Sequence, residues 1–183
     1  MNSSDALQRL KMGNFRFTEN RLNHGNTDHL RRAELEAGQN PFAIILSCAD
    51  SRVVPELLFD CGLGELFVIR VAGNVSNPSS IASIEYAVAH LGCQLIVVLA
   101  HESCGAVTAA KQGGDLGPNL NHLLSHIDVS PDLTVNELAK NNAKQTRKNL
   151  ILQSQIIASA ATDDLSILPA YYHLKSGEVE FLS

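Results

Sequence analysis

Three short apolar runs constrain this chain more than any other feature: FAIILSC at 42–48, LFVIRVA at 66–72 and QLIVVLA at 94–100. None alternates apolar with polar residues, so each reads as a strand covered on both faces. The segments between them carry helix signals. In VPELLFDCG (54–62) Pro55 sits near a helix start and Gly62 where a helix stops. In NPSSIASIEYAVAHLG (77–92) Asn77 is a cap and Pro78 opens the first turn. Ile81, Ile84, Ala87, Val88 and Leu91 form one stripe, and Gly92 ends the helix. Strand, helix, strand, helix, strand implies right-handed crossovers and a parallel sheet.

The remaining segments read as additions to that core. An N-terminal helix over about residues 4–17 offers Leu7, Leu10, Phe15 and Phe17 as its apolar side, and NRLNHGNTDHLRR then reads as an exposed arm or loop. Helix is expected in PNLNHLLSHI (118–127) and through much of 134–162, with Leu138, Ala143, Leu150, Ile156 and Ile157 as core positions. The end, SILPAYYHLKSGEVEFL, reads as two strands around a turn at Ser176 and Gly177. The expected architecture is therefore α/β: a central, mostly parallel β-sheet flanked by helices, with an N-terminal helical arm and a C-terminal strand pair. A chain of 183 residues buries roughly 70% of its unfolded surface as one domain. We expect a single domain over 1–183, with an arm at 1–40 and an α/β core at 41–183.

Charge and hydropathy narrow the partners. With 14 basic against 19 acidic residues the formal charge is −5, so nothing draws the chain to nucleic acid or an anionic membrane. The N-terminal MNSSDALQRLKMGNFRF lacks an apolar core of signal-peptide length, and LIVVLA at 95–100 is too short to span a bilayer. A cytoplasmic location is expected. There, Cys48, Cys61, Cys93 and Cys104 are expected as thiols or metal ligands rather than a disulfide framework.

In an open parallel sheet, ligands gather outside the carboxyl ends of the strands. That rule selects Cys48, which closes the first run, and His101, which follows the third in AHESCGAV with Cys104 three residues on. Neighbouring strands lie about 5 Å apart, so the three side chains can converge. Two cysteines and one histidine suit zinc, and a fourth position left to water marks a catalytic site. Taken singly, each has a plainer reading, the cysteines as small apolar fillers and the histidine as a hydrogen-bonded side chain. Asp50 and Arg52 likewise read alone as an ion pair capping the next helix, with Asp50 or Ser51 as cap. Gly105 is either a turn glycine or a backbone N–H donor to an anion. His122 and His126, four apart, read as a solvated helix face, since Leu123 stands where a metalloprotease motif has glutamate. Cys61 and Cys93, beside Gly62 and Gly92, read as packing residues, and LRRAELEAG as an exposed helical face.

CADSR at 48–52 followed by HESCG at 101–105 resembles the β class of carbonic anhydrases, and the likeness extends through PELLFDCGLGELFVIRVAGNV and SIEYAVAHLG. The resemblance is close over 42–111 and looser toward both ends. It implies a lyase that reversibly hydrates carbon dioxide to bicarbonate and a proton. It further implies one zinc per chain on Cys48, His101 and Cys104, with Asp50 and Arg52 as a catalytic dyad and the zinc-bound hydroxide as nucleophile. It also implies a homodimer or homotetramer that pairs through the sheet and exchanges N-terminal helices. The chemistry is coherent: zinc lowers the pKa of bound water toward ~7, Asp50 accepts the hydroxide's hydrogen bond, and Arg52 keeps Asp50 ionised. Gly105 would meet a bicarbonate oxygen.

Two features depart from the family pattern. Ala106 stands where a second glycine is frequent, which narrows the backbone approach. The chain has no tryptophan, so a regulatory bicarbonate site of the tryptophan, arginine and tyrosine type cannot be intact even though Arg70 matches its arginine. Two rivals remain at this stage. Carbonyl sulfide or carbon disulfide hydrolysis would use the same centre on another linear substrate. A non-catalytic zinc-binding or thiol-sensing protein would use Cys48 and Cys104 but has no need of Asp50 and Arg52.

Overall fold

The computed structural model describes residues 1–183. The three apolar runs become β1 (Ala43–Ser47), β2 (Leu66–Arg70) and β3 (Leu95–His101), and the C-terminal pair becomes β4 (Ser166–Tyr172) and β5 (Val179–Phe181). They form one sheet in the order β2-β1-β3-β4-β5, parallel except for the antiparallel β4–β5 pair. Residues along β1 and β3 are wholly buried, as a strand covered on both faces requires. β2 departs from that expectation. It is half-buried along its length because it is the edge strand, with a neighbour on one side alone.

Alternation along the strands divides the interior into two layers. Ile44, Leu46 and Cys48 of the first run and Ile96, Val98 and Ala100 of β3 face one side. There they meet Ile84 and Ala87 of α4 (Pro78–Leu91), Leu138, Ala143 and Leu150 of α7 (Val135–Gln153) and Ile157 of α8 (Gln155–Thr162). Ala43, Ile45, Leu95, Val97 and Leu99 face the other side, against Ala6 and Leu10 of α1 (Ser3–Thr18) and Leu58 of α3 (Pro55–Leu58). The remaining helices are α2 (His29–Glu34), inside the segment expected as an arm, α5 (Gly105–Gln112) and α6 (Pro118–Leu124). No helix is long and apolar enough to cross a membrane.

Capping follows the sequence closely. Asn77 accepts from Ser80 N while Ser80 Oγ accepts from Asn77 N, a reciprocal box before Pro78, and α4 ends at Gly92. Thr134 and Glu137 form the same box at the start of α7. The long helical stretch breaks at Ser154, whose extended backbone separates α7 from α8 and whose hydroxyl caps Ile157 N. The break rotates Ile156 outward to 45% exposure, so Ile157 alone of that pair is core.

α1 presents a different face from the one its large residues suggest. Phe15 is 56% exposed, while Ala6, Leu10, Gly13 and Asn14 are the buried residues. The helix lies so close to α3 that a Cβ on Gly13 would stand 1.8 Å from the Phe59 carbonyl oxygen. Asn14 then serves as a buried clamp: its amide donates to Leu58 O and Gly177 O, and its Oδ1 accepts Val179 N–H at 2.8 Å. Close approach, rather than side-chain volume, selects the inner face.

Candidate active site

Register brings the expected residues together. Ser47 pairs with Leu99, so Cys48, the next residue, emerges level with Ala100 and beside His101. The chain then turns through Ser103, at φ +53°, and Cys104 becomes the cap residue of α5. Cys48, His101 and Cys104 are all buried, and their ligand atoms lie within 4.8 Å of one another. The two sulfurs are 3.9 Å apart.

The ring of His101 is already oriented for a metal. Its Nδ1 lies 2.9 Å from the Glu102 carbonyl oxygen. A carbonyl only accepts, so Nδ1 carries the proton and Nε2 presents a lone pair. That Nε2 is buried with no hydrogen-bond partner, an arrangement a buried nitrogen rarely keeps unless something binds it. Hydrogen bonding between the two thiols holds Cys48 well below the usual thiol range, with the Gly73 N–H adding to the effect, while Cys104 is pushed up. A buried group of two sulfurs and one imidazole fits zinc. Cys61 and Cys93, by contrast, are pushed up to about 12 and about 11, chiefly by burial, and take no part in the cluster.

Asp50 and Arg52 lie at the mouth of this group. Asp50 Oδ2 is 3.9 Å from His101 Nε2, too far for a hydrogen bond and close enough to share a bound molecule. Arg52 grips the carboxylate with Nε on Oδ1 at 2.9 Å and Nη2 on Oδ2 at 2.7 Å, while its own backbone N–H also donates to Oδ1. Hydrogen bonds from Arg52 therefore hold Asp50 far below the ordinary carboxylate range. Neither Asp50 nor Ser51 caps the next helix, since α3 begins after Val54 without a side-chain cap.

Four further residues hold the frame, and the sequence reading missed three of them. Arg70, at the end of β2, donates to the Asp50 carbonyl at 2.7 Å and the Cys48 carbonyl at 3.3 Å. Asn136 of α7 accepts the Ser103 N–H at 2.9 Å, and Ser103 O in turn accepts from Arg52 at 3.3 Å. Gly73 donates its N–H to Cys48 Sγ at 3.3 Å, and Asn142 of α7 donates to the Gly73 carbonyl at 2.7 Å. In the polar run VNELAKNNAK nothing marks Asn136 or Asn142 as different from surface asparagines. Gly105 opens α5 with free space beside its α-carbon. His122 is exposed as a solvated helix face requires, whereas His126 departs from that expectation, half-buried with its Nε2 enclosed; their rings lie 5.3 Å apart and neither belongs to the cysteine group.

Comparison with known proteins gives the same assignment. A family model described as carbonic anhydrase matches residues 43–179. A carbonic anhydrase of Mycolicibacterium smegmatis is 38% identical over 97% of this chain and 92% of its own. Among solved structures, the β-carbonic anhydrase CafA of Aspergillus fumigatus superposes with a TM-score of 0.75 at 29% identity, covering 83% of this chain and 80% of that one. A tetrameric β-carbonic anhydrase from Sordaria macrospora superposes at 0.74 with 26% identity, covering 83% and 85%.

Proposed function

Because the chain belongs to the carbonic anhydrase family, we propose that it hydrates carbon dioxide reversibly to bicarbonate and a proton at one zinc per chain, held by Cys48, His101 and Cys104. The observation that carries the metal assignment is the buried, unprotonated and partnerless Nε2 of His101 beside two sulfurs. Bound there, zinc supplies the Lewis acidity that makes water a nucleophile near neutral pH.

The chain's own groups supply the orientation. Asp50 is acceptor-only while ionised. Its Oδ2, beside His101 Nε2, accepts a hydrogen bond from the attacking water and turns that oxygen's remaining lone pair toward the substrate carbon. Arg52 keeps the carboxylate ionised and stops it from rotating. Arg70 fixes the backbone on which Cys48 and Asp50 sit. Gly105, the first residue of α5, has an N–H that no helical carbonyl takes up, and it receives a bicarbonate oxygen. The half-exposed edge strand β2 and the tetrameric relative support a homodimer or homotetramer.

Stopped-flow hydration of carbon dioxide over roughly pH 6.5–9 on zinc-loaded protein tests the assignment, since the range brackets the pKa of zinc-activated water. Turnover of carbon dioxide well above the rate with carbonyl sulfide is expected. Zinc-loaded protein inert to carbon dioxide, or one that prefers carbonyl sulfide, contradicts it.

A further inference from the structure

Two of the three groups that would meet zinc are thiolates, whose charge cancels that of a divalent cation and makes bound water harder to ionise. Something must draw electron density back from sulfur. Cys104 is the cap residue of α5, so the positive end of that helix lies beside it. At Cys48 the donor is the Gly73 N–H, 3.3 Å away.

Gly73 does not reach Cys48 by belonging to a strand or helix of ordinary geometry. It lies in a tight turn over 72–74 with φ +72°, and a Cβ there would stand 2.8 Å from Ile127 Cδ1. Asn74 N–H to Val71 O closes the turn, and Val71 N–H to Ser47 O continues the ladder from β2 to β1. The side chain that ties it to the rest of the core is Asn142, from the middle of α7. Asn142 is 2% exposed, donates Nδ2 to Gly73 O at 2.7 Å, and leaves its own Oδ1 buried without a partner. Burying an amide with half its capacity unused is costly, and leucine would fill such a place in a helix packed on an apolar layer. The donor half makes one bond, to the peptide unit whose neighbour donates to sulfur.

We propose that Asn142 is a positioning residue of the metal centre: by gripping the Gly73 carbonyl it fixes the Gly73 N–H on the Cys48 sulfur and so sets how strongly that sulfur donates to the metal. The inference rests on Cys48 being a metal ligand. Outer partners of this kind tune a bound ion without touching it.

The test uses the full chain loaded with cobalt(II) or with cadmium-113. In the parent loaded with cadmium-113, the Gly73 amide proton couples to the metal through the N–H···S bond. In Asn142→Leu that coupling falls or vanishes, and the thiolate-to-cobalt charge-transfer band moves to lower energy, because a sulfur without its N–H donor is easier to oxidise. A merely structural asparagine would change the melting temperature and leave the band in place. Asn142→Ser, too short to reach Gly73, serves as the second variant and shows the same shift. A metal-loaded variant with the parent's band and coupling overturns the inference, as does a parent without the coupling, or failure of both variants to fold. If the parent takes up neither metal, the assignment of Cys48 as a ligand falls as well, which separates that failure from this one.

Discussion

Asp50 and Arg52 stand two positions apart and lock together through two parallel hydrogen bonds, Nε to Oδ1 at 2.9 Å and Nη2 to Oδ2 at 2.7 Å. The pairing leaves the carboxylate pointing at the space before His101 Nε2 rather than rotating into it. Arg52→Lys keeps the charge and loses the fork, since an ammonium cannot hold both oxygens in plane. Arg52→Ala should cost ~10²-fold in kcat, the usual effect of a misplaced catalytic group, and Arg52→Lys somewhat less. Zinc content should be unchanged in both. Stopped-flow hydration rates equal to the parent's would remove Arg52 from the account.

In the function proposed above, Asp50 orients the attacking water rather than binding the metal. Asp50→Ala should retain one zinc per chain by elemental analysis and lose most of its hydration rate, on the order of 10²-fold or more. Loss of zinc along with activity would make Asp50 a ligand instead, and parental activity would leave it without a role.

Asn136 offers a test of the turn that carries Cys104. Only its Oδ1 is used, accepting the N–H of Ser103, a residue held at φ +53°. Asn136→Ala should destabilise the protein by about 1 kcal/mol, the worth of one hydrogen bond, and lower kcat as Ser103 O drifts from Arg52. Asn136→Asp keeps the acceptor and should restore both. A pair of variants that behave alike in thermal melts and rate measurements would show that the acceptor is immaterial.

The arm is held by charge. Burial alone would push the Asp60 carboxyl up. The hydrogen bonds from Arg16 on α1 and from the Asn23 and His24 N–H groups more than reverse that and leave it below its ordinary value. A carboxylate lowered by folding stabilises the native state above its unfolded pKa of ~3.9 and loses that contribution as the pH falls through the lower native value. Arg16→Ala should cost about 2–3 kcal/mol at neutral pH, because it leaves a buried charge short of its partner. The deficit should shrink in acid. Urea unfolding of parent and variant from neutral pH down to about pH 3 measures it, and a deficit that grew on acidification would reverse the sign argued here.

The sheet and its site were legible because their causes are local. Uninterrupted apolar runs make buried strands, Asn77 and Gly92 mark the ends of α4, and the rule for strand ends finds Cys48 and His101. What escaped reading depends on tertiary contact. β2 carries the same apolar pattern as β1, and only the sheet order reveals it as an edge. Phe15 looked like core, yet the approach of α1 to Phe59 rewards Gly13 and Asn14. Ile156 matched the helical period until Ser154 broke it. Asn136 and Asn142 are ordinary in sequence and gain meaning from the backbone groups that the fold sets before them.

The central claim is tested most directly by titrating zinc into metal-free protein and following carbon dioxide hydration by stopped flow at each addition. The rate should climb in proportion to bound zinc and level off at one ion per chain. A protein that binds that zinc and stays inactive, or hydrates carbon dioxide equally well without it, would contradict the claim.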